Sequence, residues 1–169
     1  LLAGAGQADI TPAMGIHISG GIGWYKPVQE IRDPLQAKAL ILKQDGQTIC
    51  FVSTDVIVVI HQWTDGLRRQ IAELIGTSPE AVIIHATQSH SAPALGSHTI
   101  FDDNPHIRDE HFWLRGGDNR YIPTYMNGVL AAVRQAQAAL QPVTIRAARG
   151  VDGRISFNRR FIMRDGTTG

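Results

Sequence analysis

The sequence predicts an α/β fold: a mixed sheet with a parallel βαβ core flanked by helices. Three observations carry that expectation. Thr48 to Ser53 and Ala81 to Ala86 are short apolar runs with β-branched residues, and between them His61 to Ile75 places Trp63, Leu67, Ile71, Leu74 and Ile75 at three- and four-residue intervals. Strand, amphipathic helix and strand in that order make a parallel pair joined by a right-handed crossover. A second stretch with helical spacing, Tyr121 to Leu140, supplies another helix.

Taken in order, Ala3 to Ile10 reads as a short first strand, and Thr11-Pro12 to Pro27 as a loop holding Gly15, Gly20, Gly21 and Gly23. Asp33-Pro34 marks a turn. Ala37 to Lys43 and Thr48 to Ser53 read as two strands joined at Gln44-Asp45-Gly46-Gln47. An Asp-Gly pair there predicts a hairpin, because the favoured tight turn needs positive φ at both central residues. Gly76 ends the first helix and Ser78-Pro79 resets the chain before the Ala81 to Ala86 strand. From Ser97 to Gly117 the chain is polar and irregular, carrying His98, His106 and His111 with Asp102, Asp103, Asp109 and Glu110. A long irregular loop in a compact domain usually forms a site or a lid. The Tyr121 to Leu140 helix stops before Pro142, which cannot continue it. Val143 to Arg149 and Arg154 to Phe157 read as strands with Asp152-Gly153 turning between them, and Asp165-Gly166 is a further turn of the strand-joining kind.

With 169 residues, 43% of them apolar and 18% charged, the chain can bury a real core and is expected to form one domain. A formal net charge of +1, with both signs spread along the chain, leaves no basic stripe and argues against a nucleic-acid partner. The single cysteine, Cys50, rules out a disulfide framework and reads as a small buried hydrophobe in Ile49-Cys50-Phe51-Val52. No run reaches the roughly 18 apolar residues of a membrane-spanning helix. The opening Leu1-Leu2-Ala3-Gly4, without methionine, and the closing turn read as cut ends, so residues 1 to 169 are expected to be part of a longer chain.

The βαβ order also predicts where a site lies. In a parallel pair the carboxyl ends of both strands share one sheet edge, the edge at which open α/β sheets bind ligands. Asp55 follows the first strand and His85 to His90 follow the second. Five of the seven histidines fall between His85 and His111. Histidine is the commonest metal ligand and the usual acid/base near neutral pH, so a metal centre, an acid/base site and a solvated polar loop are all open readings of the segment. Gly4-Ala5-Gly6 lacks the third glycine of a dinucleotide fingerprint, and Gly96-Ser97-His98 does not fit the Gly-x-Ser-x-Gly nucleophile elbow. Asn158-Arg159-Arg160 reads either as an anion clamp, since guanidinium forks bind carboxylates bidentately, or as a solvated strand end.

Several separated segments, in order, resemble the amino-terminal part of the neutral/alkaline, non-lysosomal ceramidase family. They are Ala5-Gly6-Gln7-Ala8-Asp9-Ile10-Thr11-Pro12, Asp33-Pro34-Leu35-Gln36-Ala37-Lys38-Ala39-Leu40, Val52-Ser53-Thr54-Asp55, Ala86-Thr87-Gln88-Ser89-His90-Ser91-Ala92-Pro93 and Ser156-Phe157-Asn158-Arg159-Arg160. The resemblance implies a zinc-dependent amide hydrolase that cleaves N-acylsphingosine, or a related N-acyl lipid, to amine and fatty acid, with zinc activating a water. It implies a lipid-amide substrate, peripheral membrane contact, an extracytoplasmic location, a role in sphingolipid metabolism, and residues 1 to 169 as the first part of a longer catalytic domain. In the family the loop reads Ala-Thr-His-Thr-His-Ser-Gly-Pro, its first histidine a zinc ligand and its second a contact to substrate or reacting oxygen. The second histidine corresponds to His90, the implied catalytic residue. The first corresponds to Gln88, whose amide oxygen is a weaker zinc donor than imidazole. The family's remaining ligands, a histidine, a glutamate and a tyrosine, come later than Gly169, and His98, His106 or His111 could stand in from the long loop, His98 foremost. Arg159, Gly20 and Gly21 are the implied substrate-binding positions. Gln88 also implies the alternative: a catalytically silent relative that binds a lipid or glycan.

Overall fold

The computed structural model describes residues 1–21, 23–101, 103–154 and 160–168. Its sheet has five strands: β1 (Leu2–Asp9), β2 (Gln36–Gln44), β3 (Gln47–Thr54), β4 (Val82–Ala86) and the two-residue β5 (Gln141–Pro142). They lie in the order β4-β3-β2-β1-β5. β3 and β4 are parallel, and the other neighbours are antiparallel. The parallel pair is joined through the helix α1 (His61–Ile75), and a second helix, α2 (Ile122–Ala138), returns the chain to the β1 edge. The mixed sheet with its βαβ core is the fold class that the residue pattern predicts.

The local reasons are the ones the sequence displays. The β2–β3 hairpin turns at Asp45 and Gly46, with φ of 50° and 78°, the left-handed pair that such a turn requires. α1 stops at Gly76, whose left-handed conformation lets its N–H return to the Ala72 carbonyl. α2 begins one residue later than its spacing predicts, because Asn119–Tyr121 form a 3₁₀ turn ahead of it, and it ends at Ala138.

Both helices lie on one face of the sheet. Alternate residues of the strands, including Ala37, Ala39, Ile41, Cys50, Val52 and Val82, join Leu67 and Ile71 of α1 and Tyr125, Val129 and Val133 of α2 in one buried core. Cys50 is fully buried there, and burial pushes its thiol up to about 11, so it behaves as a hydrophobe and not as a nucleophile. α2 sits very close to β1. A Cβ at Gly4 would collide with the Ala136 carbonyl oxygen, and one at Gly6 with that of Ala132.

The carboxyl-terminal strands differ from expectation. Val143 to Arg149 is not a strand; pairing with β1 ends after Gln141 and Pro142, with one further bond from the Val143 N–H to the Leu1 carbonyl. Residues 144 to 149 are exposed and pair with no described strand, so nothing holds them in a ladder. Arg154 lies in a bend where its N–H and guanidinium bind the Asp152 carboxylate, so the Asp152-Gly153 turn is present. The rest of the expected Arg154 to Phe157 strand lies outside the described residues. The Asp165-Gly166 turn does join a bridge, Ile162 to Thr168.

The close approach of α2 predicts a measurable cost. Gly6→Ala should lower unfolding free energy by about 1–3 kcal/mol through overpacking, whereas Gly66→Ala, with open space around its Cβ inside α1, should raise it by about 0.5–1 kcal/mol. Urea denaturation of the two variants beside the parent chain checks both signs.

Candidate functional site at the carboxyl edge of the parallel pair

The edge formed by the ends of β3 and β4 is built from below by α2. Tyr121 donates to the Ile10 carbonyl at 2.5 Å, just past β1. The Tyr125 hydroxyl lies 3.3 Å from that of Thr54, the last residue of β3, and the Thr54 hydroxyl donates to the His85 carbonyl at 3.2 Å. Burial pushes the Tyr125 phenol up to about 12 and the Tyr121 phenol higher still, so both stay neutral and serve as hydrogen-bonding anchors.

On this floor the two strand ends are tied together. The Asp55 carboxylate accepts from the Gln36 N–H at 3.1 Å and from the Thr87 hydroxyl at 3.3 Å, while the Thr87 N–H donates to the Thr54 carbonyl. Asp55 is thereby engaged in joining β2, β3 and the loop after β4. Gln88 follows with φ of 60°, one of two described non-glycine residues at positive φ. A bulky residue there carries strain, and such strain concentrates at functional sites.

His90 stands two residues on and is exposed. Its Nδ1 lies 3.0 Å from the Gly20 carbonyl oxygen. A carbonyl only accepts, so Nδ1 carries the proton, and it is Nε2 that serves as the proton acceptor whenever the ring is neutral. Gly20 is required at this contact, since a Cβ would collide with the His90 backbone. The structure therefore brings His90 and Gly20 together, with Gly21 next in the chain facing open space. His85 goes elsewhere: it lies on the opposite sheet face from the helices, 3.5 Å from the Ser53 hydroxyl. Arg159, the implied substrate-binding arginine, lies outside the described residues.

The loop after His90 is held by residues that sequence reasoning did not single out. Ser19, 5% exposed, donates its N–H to the Ala92 carbonyl and accepts from the Ala94 N–H at 3.1 Å, while its hydroxyl donates to the Gly116 carbonyl. One side chain thus joins the glycine-rich loop, the His90 loop and the far end of the long loop. Beside it His17, 1% exposed, gives its N–H to the Asp118 carboxylate at 3.0 Å and accepts at Nδ1 from the Lys26 N–H at 3.2 Å. Asp118 holds Arg120 bidentately, at 2.9 and 2.6 Å, and these bonds with the His17 N–H keep its carboxyl low against the opposing effect of burial. The local signal was faint: a histidine between Ile16 and Ile18, in a stretch read as loop.

His98 lies in this second cluster. Its ring packs over Gly116, its N–H donates to the Arg115 carbonyl, and its charge would disfavour protonation of His17. His111 stacks edge-on against Trp113, with ring centroids 5.1 Å apart. Among the described residues no group of three His, Cys, Asp or Glu side chains could hold a metal ion. The described residues therefore do not fit a zinc centre. Gln88 offers one neutral oxygen, and the Asp55 carboxylate on the same edge is already bound to Gln36 and Thr87.

The fold and this edge define an α/β unit with a histidine-bearing loop after the second strand of a parallel pair. That fold is shared with the solved structure of neutral ceramidase from Pseudomonas aeruginosa, with a TM-score of 0.62 and 22% identity over 83% of this chain and 22% of that one. A second solved structure, a ceramidase complexed with C2, gives a TM-score of 0.54 and 20% identity, again over 83% of this chain and 22% of that one. The chain thus spans about a fifth of the length of these structures, at 22% of each. At these identities the likeness shows the fold, and it is a likeness to the same family that the sequence motifs resemble. No protein-family model and no curated protein matched the sequence.

The buried His17 sets a pH dependence. Its enclosure lowers its pKa below the usual value near 6.5, against the opposing pull of Asp118. The unfolded chain then takes up the proton first, so stability from this group is complete above about 6.5 and falls as pH drops below it. Thermal unfolding between pH 8 and pH 5 should show this decline, and His17→Gln should flatten it.

Proposed function

We propose that these residues are the amino-terminal part of a ceramidase-like catalytic domain, and that the intact protein cleaves the amide of an N-acyl lipid to an amine and a fatty acid. The observation that carries this reading is the placement of His90: at the carboxyl edge of the parallel pair, in the fold of neutral ceramidases, with Nδ1 committed to the Gly20 carbonyl and Nε2 left as an acceptor. In that state the ring can take a proton from an attacking water and return it to the departing amine. Gly21, beside that contact, faces open space and leaves room for an acyl chain to approach without a side chain in the way. Lewis-acid polarisation of the water or the amide is not assigned to any described residue, because none of them compose a metal centre.

Gln88 favours a second reading, a silent relative that binds the lipid amide without hydrolysing it. The two readings separate by experiment on the intact protein, assayed for fatty-acid release from short-chain N-acyl lipid amides with added zinc. Under the first, His90→Ala lowers turnover about 10²- to 10⁴-fold, the contribution expected of a positioned acid/base. Absence of any turnover by the unaltered protein, together with zinc binding gained only on Gln88→His as measured by elemental analysis, would establish the silent reading instead.

A further inference from the structure

His17 is buried and titratable, takes no part in the chemistry assigned to His90, and stands at the base of the loop that carries Gly20. Two short arms take that loop out and back. The Gly15 N–H donates to the Val28 carbonyl at 2.9 Å, the Val28 N–H to that of Ile16 at 2.8 Å and the Ile18 N–H to that of Lys26 at 2.7 Å, with His17 and Pro27 facing each other in a bridge. Within this pairing a side chain takes the place of a carbonyl: His17 Nδ1 accepts the Lys26 N–H at 3.2 Å. An N–H only donates, so this nitrogen is bare and the proton of the neutral ring sits on Nε2. The ring is stacked on Tyr25, with centroids 5.8 Å apart, and meets the edge of Phe112 at 6.3 Å. Past Ile18 the outgoing arm continues through Ser19 to Gly20, whose carbonyl lies against His90.

We propose that His17 is a proton-operated latch, whose protonation releases the loop holding Gly20 against His90, so that the site comes apart in weak acid while the sheet stays folded. A second proton on the ring turns Nδ1 into a donor, and two donors then face each other across the bond to Lys26. The groups around the ring do not compensate. Asp118, from the turn before α2, is the carboxylate that faces it, but its oxygens are already taken by the His17 backbone N–H and the Arg120 guanidinium. His98, from the long loop, opposes a charge there, and the returning arm contributes the Tyr25 ring and the cation of Lys26. Burial accordingly holds the ring below its usual pKa, with Asp118 pulling the other way, and a group that binds its proton better in the released loop drives release as pH falls. The opening stays local because the described bonds of residues 18 to 20 go to Lys26, Ala92, Ala94, Gly116 and His90, none of which lies in a strand of the sheet. Control of turnover by the latch rests on the catalytic reading of His90; release of the loop does not.

The test is hydrogen exchange on the intact protein between pH 8 and pH 5, read by peptide, with each rate divided by that of an unstructured chain at the same pH. Peptides holding the arms, residues 15–18 and 26–28, should lose protection about tenfold per pH unit below about 6.5, the slope of a one-proton release, while peptides of β2 and β3 keep theirs. His17→Gln supplies an oxygen that accepts the Lys26 N–H without titrating, and should abolish the slope; His98→Gln should leave it. Flat protection in the unaltered protein overturns the proposal without need of any variant. So does a loss shared equally by β2 and β3, which is global unfolding, and so does a slope that survives His17→Gln or vanishes in His98→Gln. Fatty-acid release by the same proteins separates the latch from the catalytic reading. Turnover that declines in acid, and declines about tenfold less in His17→Gln, is the result expected of a latch with a one-proton slope. Equal decline in both proteins overturns its control of the site. A loop that opens with the expected slope in a protein showing no turnover at any pH upholds the latch and overturns the catalytic reading alone.

Discussion

The distance between α2 and β1 is the constraint on which the rest of the structure depends. With no Cβ at Gly4 and Gly6, the helix backbone comes down onto the strand, and the tyrosines of its first turns reach the far edge of the sheet. Had the helix been lifted by a methyl layer, Tyr121 would fall short of Ile10 and Tyr125 of Thr54. The strand ends would then present unpaired backbone groups to a buried space, at a cost comparable to the bonds lost. The floor beneath His90 is thus a by-product of how tightly a helix seats two sheet strands away.

Above that floor, the loops are organised by polar side chains buried among them. Ser19 and Asp118 sit at 5% and 3% exposure, where an unsatisfied polar group is costly, and each is fully used by backbone or guanidinium partners. This arrangement fixes the His90 segment relative to Gly20 from behind, leaving its outer surface open. Binding residues on loops need such a rigid scaffold if a bare Nε2 is to meet a substrate in a repeatable place.

Much of the fold was legible because it follows from local periodicity. The helix from His61 to Ile75 and the Asp45-Gly46 hairpin are written in spacing and turn chemistry, and they match the structure to the residue or nearly so. The loop cluster was not, since its bonds join residues 97 and 101 positions apart, from Ser19 to Gly116 and from His17 to Asp118. No window of sequence displays such pairs. The Val143 to Arg149 segment failed for a related reason: its β-branched composition speaks for a strand, but a strand needs a partner and a face to bury, and residues 144 to 149 are exposed and pair with no described strand. At the site, His90 was legible from its position after a strand, whereas the role of Gly20 required knowing which carbonyl lay beneath the ring.

Gln88 holds a left-handed backbone that the surrounding strand and loop impose on it. Histidine belongs to the few non-glycine residues enriched in that conformation, and glutamine does not. On backbone grounds alone, position 88 accepts histidine at least as readily as the glutamine it carries, so the path of the loop leaves the choice between the two to the chemistry of their side chains.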